Sequence, residues 1–386
     1  MTEQFGIKIS AGPDVDSGCD VARIKAPSTP ATDISSSLVL ADHTTFRLGG
    51  PATKLVVATT EQELCDAVRA ADAAGEPLLV LSGGSNLLVA DEGFAGTVVK
   101  VATRGISADV SSCGGAYVRV QAGECWDELV AYAISQEWFG VEALSGIPGL
   151  VGSTPIQNVG AYGQDVSQTI ARVRTLDRET GEFRTFTSQQ CEFSYRDSVF
   201  KRTRMPAGGP TGRYVVVEVH FQFELGSLSA PIRYPELARR LGVEAGQRVP
   251  SATVRETVLA LRASKGMVVD PADHDTWSAG SFFTNPLLDE EAAAALPADA
   301  PRFPADGGLV KTSAAWLIDH AGFTKGYGQG PATVSTKHTL ALTNRGEART
   351  SDVVALADEI RTGVQERFGV TLEPEPVLVG CAVGTR

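Results

Sequence analysis

Residues 145–163 read SGIPGLVGSTPIQNVGAYG. Five glycines, Gly146, Gly149, Gly152, Gly160 and Gly163, fall in this one segment. Glycine accepts positive φ and lets backbone N–H groups come close to a ligand. Ser153, Thr154, Gln157 and Asn158 add side-chain donors. Amides and hydroxyls together can hold a pyrophosphate without a fixed positive charge. On composition alone a tight loop between strands is the commoner fate of such a run, and both readings stand. A second loop, residues 82–87 (SGGSNL), offers the same chemistry. It follows an apolar strand at 77–81, and a strand at 54–58 and a helix at 61–74 come before that. The pattern is a β-α-β unit with glycines at a strand end. Two such loops after separate strands make a dinucleotide a better explanation than either loop alone.

The rest of the chain fits an α+β protein with a larger N-terminal part (38–225), a smaller C-terminal part (226–374) and a tail (375–386). Its 386 residues are enough for two or three domains. Residues 1–37 are rich in Pro, Ser, Asp and Gly without periodicity, which predicts a mobile extension. Helices are expected at 126–136, 251–264, 313–321 and 351–368, and strands at 213–223 and 338–343. Thr253 and Glu256 have capping-box spacing. Residues 225–234 read as a connector.

A net charge of −12 argues against a nucleic-acid partner. No apolar run approaches the roughly 18 residues that cross a bilayer, and the first residues lack the basic and apolar regions of a secretory signal, so a cytoplasmic protein without a membrane partner is expected. A monomer is expected. No C-x-x-C pair occurs among the six cysteines, which read as scattered buried thiols. The five histidines are far apart, and nothing indicates a metal.

Three further segments carry candidate chemistry. Tyr195-Arg196-Asp197-Ser198 presents an arginine able to grip a carboxylate in two places; a surface Arg–Asp pair is the ordinary alternative. Gly280-Ser281-Phe282-Phe283 sets a hydroxyl beside aromatics that exclude water. A serine is a weak acid, yet it can protonate a carbanion; a loop serine bonded to backbone is the ordinary alternative. In Leu372-Glu373-Pro374-Glu375-Pro376 the prolines hold the chain extended and so set the direction of Glu375; a solvated tail is the alternative.

Taken together, HTTFRLGGPA (43–52), 83–87, 147–163, YRDSVF (195–200), 280–286 and LEPE (372–375) resemble, in order, the UDP-N-acetylenolpyruvoylglucosamine reductases. The resemblance runs from about residue 38 to the end. It implies an FAD-binding fold of the kind shared with p-cresol methylhydroxylase and vanillyl-alcohol oxidase, over 38–225, followed by a substrate domain. It also implies noncovalent FAD, NADPH as hydride source and a UDP-sugar whose enolpyruvyl CH₂ carbon receives the hydride. Arg196 and Glu375 would then polarise the enolate and Ser281 would protonate it. Cofactor contacts are implied at Gly83, Gly84, Ser85, Asn86, Leu87, Ile147, Pro148, Gly149, Ser153, Thr154, Gln157, Asn158, Gly160, Ala161 and Arg262. Tyr162, Tyr234, Lys265 and Asn285 are implied substrate contacts. The length of 225–265 favours the subgroup in which Tyr234 closes over the substrate. Three rivals remain at this point: an alcohol oxidase with tethered flavin, a binding module without catalysis, and a serine hydrolase using Ser281.

Overall fold

The computed structural model describes residues 20–26, 35–205 and 209–384. Strands Ala52–Ala58, Phe94–Val101 and Leu78–Leu81 form a parallel sheet with Phe94–Val101 in the middle. Helix Glu61–Ala73 is the crossover. It begins where Thr60 accepts the Glu63 N–H and the Glu63 carboxylate returns to the Thr60 N–H, a reciprocal cap. Its apolar stripe, Leu64, Cys65, Val68 and Ala71, packs with Val99 and Val101.

An antiparallel sheet lies beside it. Its strands run in the order Ala22–Lys25, Ile106–Ser111, Gly115–Gln121, Tyr214–Leu225, Ile170–Asp177 and Phe183–Thr187. Tyr214–Leu225 is the long central strand, and its first residues, Tyr214 to Val217, are buried on both faces. Helix Trp126–Ser135 covers this sheet, and the indole of Trp126 donates to the Leu144 carbonyl at 3.1 Å.

Beyond Leu225, helices Pro235–Leu241 and Ser251–Ser264 pack together around Leu237, Val254 and Val258. Helix Thr350–Phe368 packs on Ala314–His320 and on the strand pair Ala332–Val334 and Leu342–Asn344. The core of this region includes Phe282, Phe283 and Leu372, and it also takes in Phe46, Leu48 and Leu88 from the first half of the chain. Strand Val377–Val379 then pairs in parallel with Leu87–Val89, directly after the first glycine loop.

Several expectations need correction. Part of the N-terminal extension is ordered: Ala22–Lys25 pairs with Ser107–Val110, because the edge of Ile106–Ser111 offers unpaired backbone groups. Residues 1–19 and 27–34 lie outside the described residues. Helix Ser251–Ser264 has Pro250 at its N-cap and makes no box through Thr253. His338 sits in a turn ahead of Leu342–Asn344, its N–H held by Ser335 Oγ at 3.2 Å. Cys65 and Cys191 are buried, but Cys113 is exposed and is not among the free thiols.

Candidate active site

The two glycine loops meet backbone to backbone. Loop 82–87 leaves the carboxyl end of Leu78–Leu81, the end of a parallel strand where ligands settle. Gly84 has φ +61°, and a Cβ there would lie 1.9 Å from the His43 carbonyl oxygen. The Thr45 N–H donates to Gly84 O at 3.1 Å, which fixes the 43–45 turn against the loop. A Cβ on Gly83 would lie 2.7 Å from Gly149 Cα. Ser85 Oγ donates to Pro148 O at 3.0 Å, and Asn86 Nδ2 donates to Gln157 Oε1 at 2.8 Å. Segments from two sheets are thereby fused into one wall.

That wall bounds a cavity of about 1510 Å³, counting space at its open mouth. Ser82 to Leu87, Ile147, Pro148, Ser153, Thr154, Gln157 and Gly160 line it, as do Arg196, Arg262, Ser281 and Glu375. Three buried polar atoms on this wall, Ser82 Oγ, Arg196 Nε and Arg262 Nε, have no hydrogen-bond partner among the described residues, Arg196 Nε having only its ion-pair contact with Glu375. Buried polar atoms are normally satisfied, so a ligand with acceptors is the natural complement. Arg262 is only 8% exposed and donates through Nη2 to Met267 O at 2.9 Å. Burial pulls its guanidinium down to about 10, against the pull of Tyr162 and Asp127. The cradle suits a flavin dinucleotide: two glycine loops with serine and threonine hydroxyls, and the buried Arg262 cation beside the second of them.

Three of the expected cofactor residues stand off this wall. Gly149 lies directly behind Gly83. Ala161 is in the short pair Gly160–Ala161 with Gln164–Asp165. Asn158 is turned away: its Nδ2 donates to Ser194 O at 3.2 Å and its Oδ1 accepts from the Ser167 N–H at 3.1 Å.

Arg196 occupies the third position of a turn closed by reciprocal N–H···O contacts between Ser194 and Asp197. Its φ of +55° is unusual for a residue with a side chain. The guanidinium donates to Gly160 O at 2.9 Å and lies 2.9 Å from Glu375 Oε1. Glu375 arrives by a different route. The chain at 373–375 pairs with 282–284: Thr284 N–H donates to Glu373 O at 3.0 Å, and Glu375 N–H to Phe282 O at 2.8 Å. This pairing carries Ser281 and Glu375 to the same cavity, and Phe282 and Phe283 anchor it in the core. Among the described residues the Ser281 hydroxyl has no hydrogen-bond partner. Burial pushes the Glu375 carboxyl above the usual carboxylate range, and Arg196 and then Lys201 oppose that push.

Tyr162, Tyr234 and Lys265 form an outer cluster. The two tyrosine rings meet edge to face at 5.5 Å, Lys265 Nζ sits 5.6 Å from the Tyr162 ring centre, and it pairs with Glu236 at 2.6 Å. Asn285 is elsewhere, accepting the Ala314 N–H at 3.0 Å and contacting Tyr195 beside Arg196. Residue-level reading placed Ser82 in the first glycine loop but missed Thr45, Lys201 and Met267, all on the cavity wall. Nothing local marked the missed ones.

A β-α-β loop and a second glycine segment that together cradle a dinucleotide, next to a buried Arg–Glu pair and an unbonded serine, define a flavin-dependent oxidoreductase. Residues 52–187 match the model of an FAD-binding domain, and 270–379 match the C-terminal domain of UDP-N-acetylenolpyruvoylglucosamine reductase. The chain is 60% identical to the UDP-N-acetylenolpyruvoylglucosamine reductase of Cutibacterium acnes, over 89% of this chain and 90% of that one. The reductase of Streptomyces coelicolor is 57% identical over 89% and 90%. The crystal structure of UDP-N-acetylenolpyruvylglucosamine reductase from Thermus caldophilus superposes with a TM-score of 0.58 at 26% identity, covering 94% of this chain and 100% of that one. The chain belongs to the UDP-N-acetylenolpyruvoylglucosamine reductase family.

Proposed function

We propose that the chain reduces UDP-N-acetylglucosamine enolpyruvate to UDP-N-acetylmuramate with NADPH, in the cytoplasm, as a step of peptidoglycan precursor synthesis that serves cell-wall growth, cell shape and division. The observation that carries this reading is the convergence of Arg196, Ser281 and Glu375 on a glycine-walled cavity. Ser82, Gly83, Gly84, Ser85, Asn86, Leu87, Ile147, Pro148, Ser153, Thr154, Gln157, Gly160 and Arg262 would hold FAD. With FAD bound there, the site would have the means of hydride transfer between NADPH and the enolpyruvyl CH₂ carbon.

The protein's part is electrostatic and acid–base. Hydride addition to the CH₂ carbon leaves an electron pair on the neighbouring carbon, delocalised into its carboxylate. Arg196 lies where that carboxylate can displace Glu375 from the guanidinium. Burial raises the proton affinity of Glu375 against the pull of Arg196 and Lys201, and in its protonated form Glu375 would donate a hydrogen bond to the growing enolate. The Ser281 hydroxyl, uncommitted to the protein, gives its proton to the α-carbon and regains one from solvent. The C=C bond becomes CH–CH₃, and one hydride and one proton are consumed. Tyr162, Tyr234, Lys265 and Asn285 are assigned to the UDP-sugar, Lys265 with its positive charge toward the diphosphate. Among the described residues no histidine or cysteine lines this cavity, which disfavours a tethered-flavin oxidase and a hydrolase built on Ser281.

An anaerobic stopped-flow experiment tests the assignment. Ser281→Ala should slow oxidation of the reduced enzyme by the enolpyruvyl substrate by about 10²–10⁴-fold, the usual worth of a positioned general acid. Reduction by NADPH should stay near the wild-type rate. Equal losses in both steps would remove the proton-donor role.

A further inference from the structure

Lys201 is on the cavity wall, yet the chemistry above does not use it. It belongs to the short helix Val199–Arg202, which starts immediately after the Arg196 turn. Its Nζ donates to the Arg196 carbonyl oxygen at 2.8 Å. That carbonyl belongs to a residue in the left-handed region. The turn closes on itself through Ser194 and Asp197, and Arg202 of the same helix pairs with Asp197, but the Lys201 ammonium is the tie to the carbonyl of the strained residue itself. The same ammonium faces Glu375 from the side of this helix.

We propose that Lys201 is a positioning residue for reduction of the enolpyruvyl group: it locks the Arg196 turn and supplies the second cation that sets the charge of Glu375. The inference rests on the functional reading above. Around Glu375 the charged and titratable groups are Arg196 and Tyr195 from the turn and Lys201 from the helix. The loop at 282 offers only a carbonyl, which binds the Glu375 N–H, and the first glycine loop offers only the Asn86 amide, which donates to Glu375 O at 3.3 Å. Lys201 itself also faces Asp197, Arg196 and Arg204. Removing one of two cations beside a buried carboxyl makes that carboxyl hold its proton to higher pH.

The test compares wild type, Lys201→Met and Lys201→Arg, each loaded with FAD, in the two half-reactions from pH 5 to 9. Lys201→Met should slow oxidation of the reduced enzyme by the enolpyruvyl substrate about tenfold, as the Arg196 turn loosens. The alkaline limb of that step should move to higher pH, since Glu375 keeps the proton of its hydrogen bond to the enolate longer. NADPH reduction should change less than about twofold. Lys201→Arg, which keeps the charge, should return the limb to the wild-type position. An unmoved limb with an unchanged rate would overturn the proposal. So would equal losses in both steps with a lowered melting temperature and no displacement of the limb, which would make Lys201 scaffold only. If Lys201→Met does not fold, the Arg variant decides: a limb displaced despite the retained charge overturns the electrostatic role. Wild-type enzyme that the enolpyruvyl substrate fails to reoxidise would instead refute the functional reading.

Discussion

Gly84 and Gly280 both have positive φ, at +61° and +72°, and both sit beside residues assigned to chemistry, but they are needed for different reasons. At Gly84 a Cβ would collide with the His43 carbonyl, and that carbonyl belongs to a turn held in place by other backbone contacts. At Gly280 nothing lies within 4 Å of an added Cβ. The first glycine is demanded by packing, the second by torsion alone. The cofactor end of the site is therefore built of interlocked backbone and has no room for variation. The loop that carries Ser281 is anchored by the buried Phe282 and Phe283 after it and by the Thr45 hydroxyl donating to Ser278 O at 2.6 Å before it, with open space only around Gly280 itself.

Gly84→Ala should have the largest effect. The added methyl must displace backbone, and it also forces alanine into a left-handed conformation. Overpacking and backbone strain together suggest about 3 kcal/mol. For domains of this size that corresponds to a fall in melting temperature of about 10 °C. FAD should be retained poorly, measured by absorbance of the purified protein and by titration with added FAD. A variant that keeps its flavin and its melting temperature would show that the loop can move, and the contrast with Gly280 would fail.

Legibility in the sequence follows the same division. Strand 77–81, its helix and the glycine loop are local features, and they lie close to the observed Leu78–Leu81 and Glu61–Ala73. The C-terminal helices were equally visible, because their stripes are written at 3.6-residue spacing: 251–264 is the observed Ser251–Ser264. The meeting of Arg196 with Glu375 is another matter. It depends on a turn, on an antiparallel bridge between Phe283 and Pro374 and on a parallel strand at Val377–Val379, none of which has a periodic signal. Local chemistry marked the segments as candidates, but only the resemblance joined them into one site. Lys201 was missed because one lysine in a four-residue helix looks like any surface charge. The edge strand Ala22–Lys25 was missed because its partner, and not its own composition, makes it a strand.

Glu375 permits a sharper test of the interlocked end. Its carboxyl has a higher proton affinity in the folded chain than the ordinary value of 4.5. The folded state therefore binds more protons than the unfolded state above that pH. The contribution of this group to stability is fullest below 4.5 and is lost as pH rises through the raised value. Glu375→Gln keeps the shape of the side chain but cannot titrate, so its stability lacks this pH dependence. The gap in melting temperature between wild type and Glu375→Gln should accordingly be wider at pH 4 than at pH 8. A gap that widens toward alkaline pH would mean that the carboxyl is stabilised as an anion, and the hydrogen-bond donor role would go with it.

Gly280→Ala should have the smallest effect, and its smallness is what makes it informative. With open space around the added methyl, the cost is confined to the left-handed backbone, about 1 kcal/mol. A fall of about 2–4 °C in melting temperature is expected, with FAD content unchanged. Activity should respond more than stability, because the strain is relieved most cheaply by rotating the turn, and that rotation carries the Ser281 hydroxyl with it. Oxidation of the reduced enzyme by the enolpyruvyl substrate should slow while NADPH reduction holds. A loss of flavin at this position would mean that the Ser281 loop and the cofactor wall behave as one packed unit, and that torsion alone does not explain the glycine.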